Sequence, residues 1–327
     1  LDEARVAARI RHPNVASVLD VVALDGELFL VMDYVQGESL SQLLRVMRET
    51  GEIIPPRITS SVVHSLLLGL HAAHEARGER GAPLTIVHRD VSPQNVIVGT
   101  DGVTRVVDFG IAKASGRVQI TRDGQMKGKV RYMAPEQIMG HAVDRRADIF
   151  AASVVLWEAL TGQRPYDGES DVTIMFKAVN AEFAAPSSIV PGLPPALDEV
   201  VAKGLARNPN DRYATAMEMA DALEAAMLPA TVREIGPWVE RIAATVLTSR
   251  AELLAEVESA STEAEIRRRS SRPPVPPAQR EEVETRVESV VGPRVPAHRS
   301  KAAVWGAAAL SLVDVITLTT LFASRKD

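Results

Sequence analysis

The most informative segment of this chain is Val87-His88-Arg89-Asp90-Val91-Ser92-Pro93-Gln94-Asn95. Two further stretches follow it in order, Val107-Asp108-Phe109-Gly110 and then Met133-Ala134-Pro135-Glu136. Asp90 and Asn95 lie on one predicted loop and Asp108 on a second, so three side-chain oxygens can converge. Carboxylate and amide oxygens suit Mg²⁺, which keeps water and nucleotide phosphates as its other ligands. The pattern favours phosphoryl transfer, in which positioning and charge neutralisation supply most of the catalysis.

Each motif taken alone is ordinary loop sequence, because Asp-Gly and Asp-Phe-Gly are common in turns. Together, in this order and spacing, they resemble the eukaryotic-like (Hanks-type) serine/threonine protein kinases of bacteria. The resemblance runs from the first residues to about Leu228. It implies an α+β, protein-kinase-like fold with a mostly helical carboxyl-terminal lobe and a partial amino-terminal lobe. It also implies ATP and Mg²⁺ as cofactors and a protein serine or threonine as the substrate.

The resemblance assigns roles to the motif residues. Asp90 would orient the acceptor hydroxyl, and Asn95 and Asp108 would hold the metal ions. Arg89 suggests control by phosphorylation, because it can pair with a phosphate on the activation segment, where Thr121 is counted as a regulatory residue. Asp148 would anchor the backbone of the catalytic loop, and Arg212 would pair with Glu136. The remaining structural residues are His88, Phe109 and Gly110.

The nucleotide pocket follows from the same resemblance. Residues 28–33 have the pattern of a buried strand, and residues 33–35 resemble the hinge to which adenine hydrogen-bonds. Met32 takes the gatekeeper position. Asp33, Val35 and Ile97 would contact the nucleotide, and Glu3 takes the place of the glutamate that pairs with a strand lysine in this family.

Two signatures of the family do not occur before the hinge. The first glycine is Gly26 and the first lysine is Lys113, so residues 1–327 contain neither a glycine-rich loop over the phosphates nor the strand lysine. The chain also begins at Leu1 rather than at Met. We expect an amino-terminally truncated kinase whose residues 1–327 are inactive by themselves. The alternative is a pseudokinase that docks signalling partners.

A second departure lies inside the predicted site. The family has a lysine two residues after the catalytic aspartate and a threonine near the end of the activation segment, and here these positions hold Ser92 and Lys129. If Lys129 reaches the γ-phosphate, a cation and a hydroxyl both remain beside Asp90. In the alternative, Ser92 is a tolerated loss and Lys129 faces solvent.

Composition narrows the class of protein. The formal charge of −5 and a hydrophobic content of 46% give no indication of nucleic-acid binding, and the absence of cysteine excludes disulfides and thiolate catalysis. Apolar periodicity predicts helices at residues 57–77, 147–161, 196–206 and 214–228. His64, His71 and His74 lie on the first of these, with His71 and His74 three residues apart on one face, which leaves a metal site or surface histidines as alternatives.

The chain divides into four predicted regions. A kinase-like domain spans residues 1–228, a helical extension residues 229–262, and a charged, proline-rich linker residues 263–301. Residues 302–323 carry a single charge, Asp314, and are long enough to cross a membrane as a helix, although a buried terminal helix is the alternative. We therefore expect a single-pass membrane protein whose kinase domain is cytoplasmic, with a dimer through that domain as a further prediction.

Overall fold

The computed structural model describes residues 10–24, 27–78, 80–109, 130–164, 166, 171–180 and 182–270. Its elements make an α+β fold, as expected. The strands are β1 (Val18–Leu24), β2 (Glu27–Met32), β3 (Gly37–Ser39), β4 (Val96–Gly99) and β5 (Thr104–Val106). The helices are α1 (Leu40–Thr50), α2 (Pro56–His74), α3 (Pro135–Ile138), α4 (Arg146–Thr161), α5 (Asp171–Asn180), α6 (Pro186–Ile189), α7 (Pro195–Gly204), α8 (Ala216–Ala226), α9 (Val232–Ile242) and α10 (Ala244–Ser270).

The strands form two small antiparallel sheets. Strands β1 and β2 pair with each other, from Val18 opposite Met32 to Leu24 opposite Glu27. Strand β4 lies between β3 and β5, with Ser39 opposite Ile97 and Val96 opposite Val106. The second sheet therefore joins the segment after β2 to the segment that follows Asn95.

Helix α4 is the centre of the helical lobe. Every residue from Ala147 to Thr161 is buried, which fits a sequence that is apolar nearly all round. Gly162 ends the helix in a left-handed conformation (φ 68°), which glycine adopts without steric cost. Helices α2, α7 and α8 pack against α4. The predicted helix at 147–161 and its three neighbours are thus confirmed, with no end shifted by more than three residues.

The strand predicted at residues 28–33 is present as β2, but the prediction that it is buried is wrong. Leu30, Val31 and Met32 are only half-buried, and Leu19 on the paired strand is 62% exposed. The physical reason is that β1 and β2 form a two-stranded sheet in the part of the chain described here. Such a sheet has too few neighbours to cover both of its faces.

The segment after residue 228 also differs from its prediction. The helical extension predicted at 229–262 is divided at Ala243 into α9 and α10, and α10 continues to Ser270, into the segment predicted as linker. Residues 263–269 are mostly Glu, Ala and Arg, which are strong helix formers, and the first proline after them is Pro273. Helical propensity therefore outweighs the high charge of this segment.

The chain divides into two compact units, Leu1–Ala251 and Glu252–Asp327. In the second unit the described residues, 252–270, are the continuation of α10, on which Leu253 and Val257 are exposed. No helix in the described ranges is both long enough and apolar enough to span a membrane. The predicted membrane helix at 302–323 lies outside those ranges.

Candidate active site

The loop that carries Asp90 is held by a single buried carboxylate on α4. Asp148 is 1% exposed. Its Oδ1 accepts the backbone N–H of Arg89 at 2.8 Å, and its Oδ2 accepts the backbone N–H of His88 at 2.8 Å. The expected contact between Asp148 and the loop backbone is therefore present. Because α4 is the most buried helix, this contact ties the loop to the core of the lobe.

Arg89 adopts a left-handed backbone conformation, with φ at 61°. This conformation costs free energy for a residue with a Cβ and persists only where neighbouring contacts impose it. Asp148 holds the Arg89 N–H, and Gln137 Nε2 donates to the Arg89 carbonyl at 3.2 Å. Both backbone polar groups of Arg89, the residue before Asp90, therefore have a hydrogen-bond partner.

His88 is fully buried, and its ring links the two predicted catalytic segments. Its Nε2 donates to the Val107 carbonyl at 3.1 Å, and its Nδ1 accepts the Asp90 N–H at 3.3 Å. Both contacts are made only by the neutral ring with its proton on Nε2. Burial lowers the pKa of His88, while the Asp148 carboxylate opposes that shift. His88 therefore has a structural role, and its ring also packs on Phe109 with centroids 4.7 Å apart.

Asp90, Asn95 and Asp108 lie on one hydrogen-bonded backbone unit. Asn95 Nδ2 donates to the Asp90 carbonyl at 2.8 Å, and the Val107 N–H donates to the Asn95 carbonyl at 3.0 Å. Asp108 follows Val107 directly in a second left-handed conformation, with φ at 56°. The structure thus brings the loop of Asp90 and Asn95 beside the segment of Asp108.

The donor chemistry of this unit fits a magnesium ion. Because the amide nitrogen of Asn95 faces the Asp90 carbonyl, the Asn95 Oδ1 is the atom left to accept. Asp108 is exposed, so its carboxylate can take a cation whose other ligands are phosphate and water. Within the described residues no group of three His, Asp or Glu side chains could hold a metal ion by itself.

The described residues assigned to the nucleotide lie at the end of β2, on the segment that joins the two sheets, and on β4. Met32 ends β2, and the Asp33 N–H donates to the Ser17 carbonyl at 3.0 Å. Val35 and Ile97 are half-buried, and Ile97 lies opposite Ser39 in the second sheet. A cavity of about 520 Å³ borders this segment; its lining includes His12, Asp33, Val35, Thr100, Asp101 and Arg105. Neither Asn95 nor Asp108 lines it, so it is distinct from the predicted phosphate end of the site.

Several predicted residues cannot be placed. Glu3, Gly110, Thr121 and Lys129 lie outside the described residues. Ser92, the other member of the predicted exchange, is 2% exposed, and its Oγ has no hydrogen-bond partner within the described part of the chain. The exchange between Ser92 and Lys129 therefore stays a prediction.

The predicted pair of Glu136 and Arg212 is present as a buried, bidentate ion pair. The Arg212 Nη1 and Nη2 atoms lie 2.7 and 2.8 Å from the two carboxylate oxygens of Glu136. Arg212 also donates to the carbonyls of Ala206, Arg146 and Arg207, so its remaining N–H groups are used. Since both charges are paired and hydrogen-bonded, the desolvation cost of burying them is offset. The segment that contains Glu136 is thereby fixed to α4 and to the turn before α8.

Sequence reasoning missed the role of His74 and of Gln137. His74 Nε2 donates to Asp148 Oδ2 at 2.8 Å from a fully buried position, so His74 is part of the loop support. The metal interpretation of His71 and His74 is not supported in the described ranges. Gln137 bridges the Ala134 N–H and the Arg89 carbonyl. Its position at the third residue of a short helix that begins at Pro135 was the available signal, since glutamine there reaches back to the helix start.

Sequence reasoning also missed a buried cluster around Glu158. This side chain is 2% exposed, and it accepts hydrogen bonds from Arg48 at 2.5 Å and from the Tyr132 hydroxyl at 2.6 Å. Burial raises the pKa of Glu158, and burial together with the Glu158 carboxylate raises the pKa of Tyr132 well above its ordinary value. Tyr132 is therefore neutral, and it fixes the segment before Pro135 to α4.

Comparison with known proteins agrees with this geometry. The profile of the protein kinase domain matches residues 1–223. The chain is 44% identical over 223 residues to the tyrosine-protein kinase MasK of Myxococcus xanthus, covering 68% of this chain and 34% of MasK. It is 39% identical over 228 residues to the serine/threonine-protein kinase PknE of Mycobacterium tuberculosis, covering 70% and 38% of the two chains.

A third relative, the serine/threonine-protein kinase PknH of Mycobacterium bovis, is 39% identical over 225 residues, covering 69% of this chain and 36% of PknH. The chain thus spans little more than a third of the length of these curated relatives. The profile match covers the catalytic loop, the Asp108 segment and the pair of Glu136 and Arg212, and on that basis the chain belongs to the protein kinase family.

Proposed function

We propose that this chain is the catalytic lobe of a serine/threonine protein kinase that transfers the γ-phosphate of ATP to protein hydroxyl groups. The observation that carries the proposal is the backbone unit of Asp90, Asn95 and Asp108, which Asp148 fixes to α4. Phosphoryl transfer depends on positioning and on charge neutralisation, and a rigid set of oxygen donors supplies both.

Each residue of the unit has a distinct task. Asp90 orients the acceptor hydroxyl and takes its proton. Asn95 Oδ1 and the Asp108 carboxylate hold Mg²⁺, which when bound with ATP neutralises charge on the phosphates. Asp33 and Val35 offer backbone groups to the adenine, and Ile97 and Met32 offer apolar contact. Glu3 is proposed to pair with the strand lysine of the family. Lys129 and Ser92 are proposed to supply a cation and a hydroxyl beside Asp90.

The test is a phosphotransfer assay on the complete gene product, called here the full-length kinase, with Asp90→Asn and Asp108→Asn as variants. Both changes should lower turnover by at least about a hundredfold. Asp221→Asn is the matched control, because Asp221 is an exposed aspartate on α8 and should leave turnover unchanged. Full activity in either site variant would contradict the proposal.

The acceptor residue is a separate question, because the relatives named above include proteins called serine/threonine kinases and one called a tyrosine kinase. We propose serine and threonine. Phosphoamino-acid analysis of the labelled product should give phosphoserine and phosphothreonine. Phosphotyrosine as the main product would overturn this part of the proposal.

The 327-residue chain by itself is proposed to bind ATP weakly and to show no appreciable turnover. The reason is that residues 1–327 contain no glycine-rich loop and no lysine before Lys113. An in-frame glycine-rich loop and lysine encoded upstream of Leu1 would favour the enzyme over the pseudokinase scaffold. An in-frame stop codon there would favour the scaffold.

Membrane attachment and dimerisation belong to the proposal as well. Residues 302–323 carry one charge in 22 positions, which supports a membrane helix. A kinase must meet ATP, and the basic residues Arg299 and Lys301 precede the segment, which together support a cytoplasmic kinase domain. A dimer through the kinase domain is proposed without a defined interface. Analytical ultracentrifugation of a chain ending at Ser300 tests it, and a single species at monomer mass across micromolar concentrations would refute it.

A further inference from the structure

Helices α9 and α10 lie beyond the part of the chain that matches the kinase profile, yet α9 is packed into the same core. The profile ends at residue 223, and α9 begins at Val232. Ile235 and Val239 are almost fully buried, and Trp238 is 6% exposed. Helix α9 contacts α1, β3 and β4. It is therefore an integral part of the folded lobe.

The helix approaches the turn between β4 and β5 with no side chain between the two backbones. A Cβ atom on Gly236 would lie 2.4 Å from the Thr100 carbonyl oxygen, and one on Gly102 would lie 2.4 Å from the Val232 carbonyl oxygen. Glycine at both positions is what allows this distance. The start of α9 is fixed too, because Glu234 pairs with Arg57 at 2.9 Å and accepts the N–H of Thr231 at 2.7 Å.

Arg250, in the second turn of α10, contacts β3, the strand that follows the predicted hinge at residues 33–35. Its Nη1 donates to the Gly37 carbonyl at 3.0 Å, and its Nη2 lies 3.0 Å from Glu38 Oε2. The Glu38 side chain is 4% exposed. Its other oxygen, Oε1, accepts the Ser39 N–H at 2.6 Å, and Ser39 is the N-cap of α1.

The strand that Arg250 contacts is hydrogen-bonded to β4, which carries Ile97 of the predicted nucleotide site. Gly37 and Glu38 pair with Gly99 and Val98, and Ser39 pairs with Ile97. Strand β4 begins one residue after Asn95. A buried carboxylate without its cation is costly, so loss of Arg250 forces Glu38 and its strand to rearrange.

We infer that Arg250 is a positioning residue for nucleotide binding. Through its contacts with Gly37 and Glu38, the helix that follows the kinase domain sets the geometry of the sheet formed by β3, β4 and β5. The inference rests on the proposed function. It implies that nucleotide affinity depends on a helix that begins after the residues matched by the kinase profile.

The test replaces Arg250 by Met, which keeps the length and the apolar stem of the side chain but removes the guanidinium. In the full-length kinase, Arg250→Met should raise KM for ATP about five- to tenfold and leave kcat within about twofold, as expected for a coupling between sites. Arg250→Lys should recover part of the loss, because the positive charge remains. Arg241→Met, an exposed arginine on α9, is the matched control and should change neither constant.

Two further measurements separate positioning from simple support of the fold. In a Glu38→Gln background, where the buried charge is absent, Arg250→Met should have a much smaller effect on KM. In the 327-residue chain, hydrogen exchange at residues 37–39 and 97–99 should accelerate in Arg250→Met and not in Arg241→Met. An unchanged KM with unchanged exchange, or a lower kcat with unchanged KM, would overturn the inference. A wild-type full-length kinase that binds no nucleotide would instead refute the proposed function.

Discussion

Asp148→Asn tests the central structural claim, that one carboxylate on α4 fixes the loop of Asp90. The wild-type side chain accepts three hydrogen bonds of 2.8 Å, from the His88 N–H, the Arg89 N–H and His74 Nε2. An asparagine amide has one accepting oxygen, so at least one of these buried donors must face an N–H₂ group. The change is nearly isosteric, and its effect is therefore electrostatic.

The expected cost follows from the number of donors affected. One buried donor left unsatisfied costs about 1–3 kcal/mol, and a hydrogen bond to a charged acceptor exceeds a neutral one by about 1 kcal/mol. We therefore expect the free energy of unfolding to fall by roughly 3 kcal/mol. Because Arg89 holds its left-handed conformation through this contact, the loop should relax, and a displacement of Asp90 by about 1 Å would lower turnover about a hundredfold.

In the 327-residue chain, urea unfolding measures the loss of stability, and hydrogen exchange of the Arg89 amide measures the relaxation of the loop. Glu158→Gln is the matched control, since it changes another buried carboxylate on the same helix, which faces Arg48 and Tyr132. It should lower stability without selectively exposing the Arg89 amide. If Asp148→Asn costs less than about 1 kcal/mol, or if both variants raise Arg89 exchange equally, the anchoring argument fails.

Four further predictions concern other parts of the molecule. Val239→Ala, in the fully buried face of α9, should lower the free energy of unfolding by about 1–3 kcal/mol, and a cost near zero would mean that α9 is not part of the folded lobe. Because burial lowers the pKa of His88, stability should decline as pH falls below about 6.5, where the unfolded chain takes up the proton, by at most about 1.4 kcal/mol per pH unit until the folded-state pKa is reached. His88→Phe should flatten that decline in denaturant titrations, and an unchanged slope would contradict the assignment. The full chain should sediment with membranes after high-salt washing and a chain ending at Ser300 should not, whereas equal solubility would favour a packed terminal helix. In the full-length kinase, Lys129→Thr should reduce turnover about tenfold and added Ser92→Lys should restore much of it, while simple additivity would mean that the exchange is coincidence.

The sequence was sufficient where a feature depends on residue type and spacing. Helix α4 was predictable because an apolar run of its length is too long for a single strand, and Gly162 marks where a helix would end. The pairing of Glu136 with Arg212 and the role of Asp148 followed from the family resemblance, and both contacts are present. The structural role of His88 was predicted as well, although the tautomer became clear only from its two partners.

Other features depend on contacts between distant segments, and local pattern carries no information about them. The burial of β2 was overestimated because an apolar strand has the same pattern whether its sheet has two strands or more. His74 was considered a metal candidate because its spacing to His71 is visible in the sequence, whereas its partner Asp148 is 74 positions away.

Arg250 illustrates the same limit most clearly. In the sequence it is one charged residue on a helical segment, where a solvated position is the common outcome. What gives it a role is the burial of Glu38, which lies 212 positions earlier and could not be inferred from a polar residue that follows the hinge. The carboxylate of Glu38 is paired with a cation that comes from a helix outside the matched domain. The boundary of the functional unit is therefore set by where charges are compensated, and in this chain that boundary falls after residue 250 rather than at residue 223.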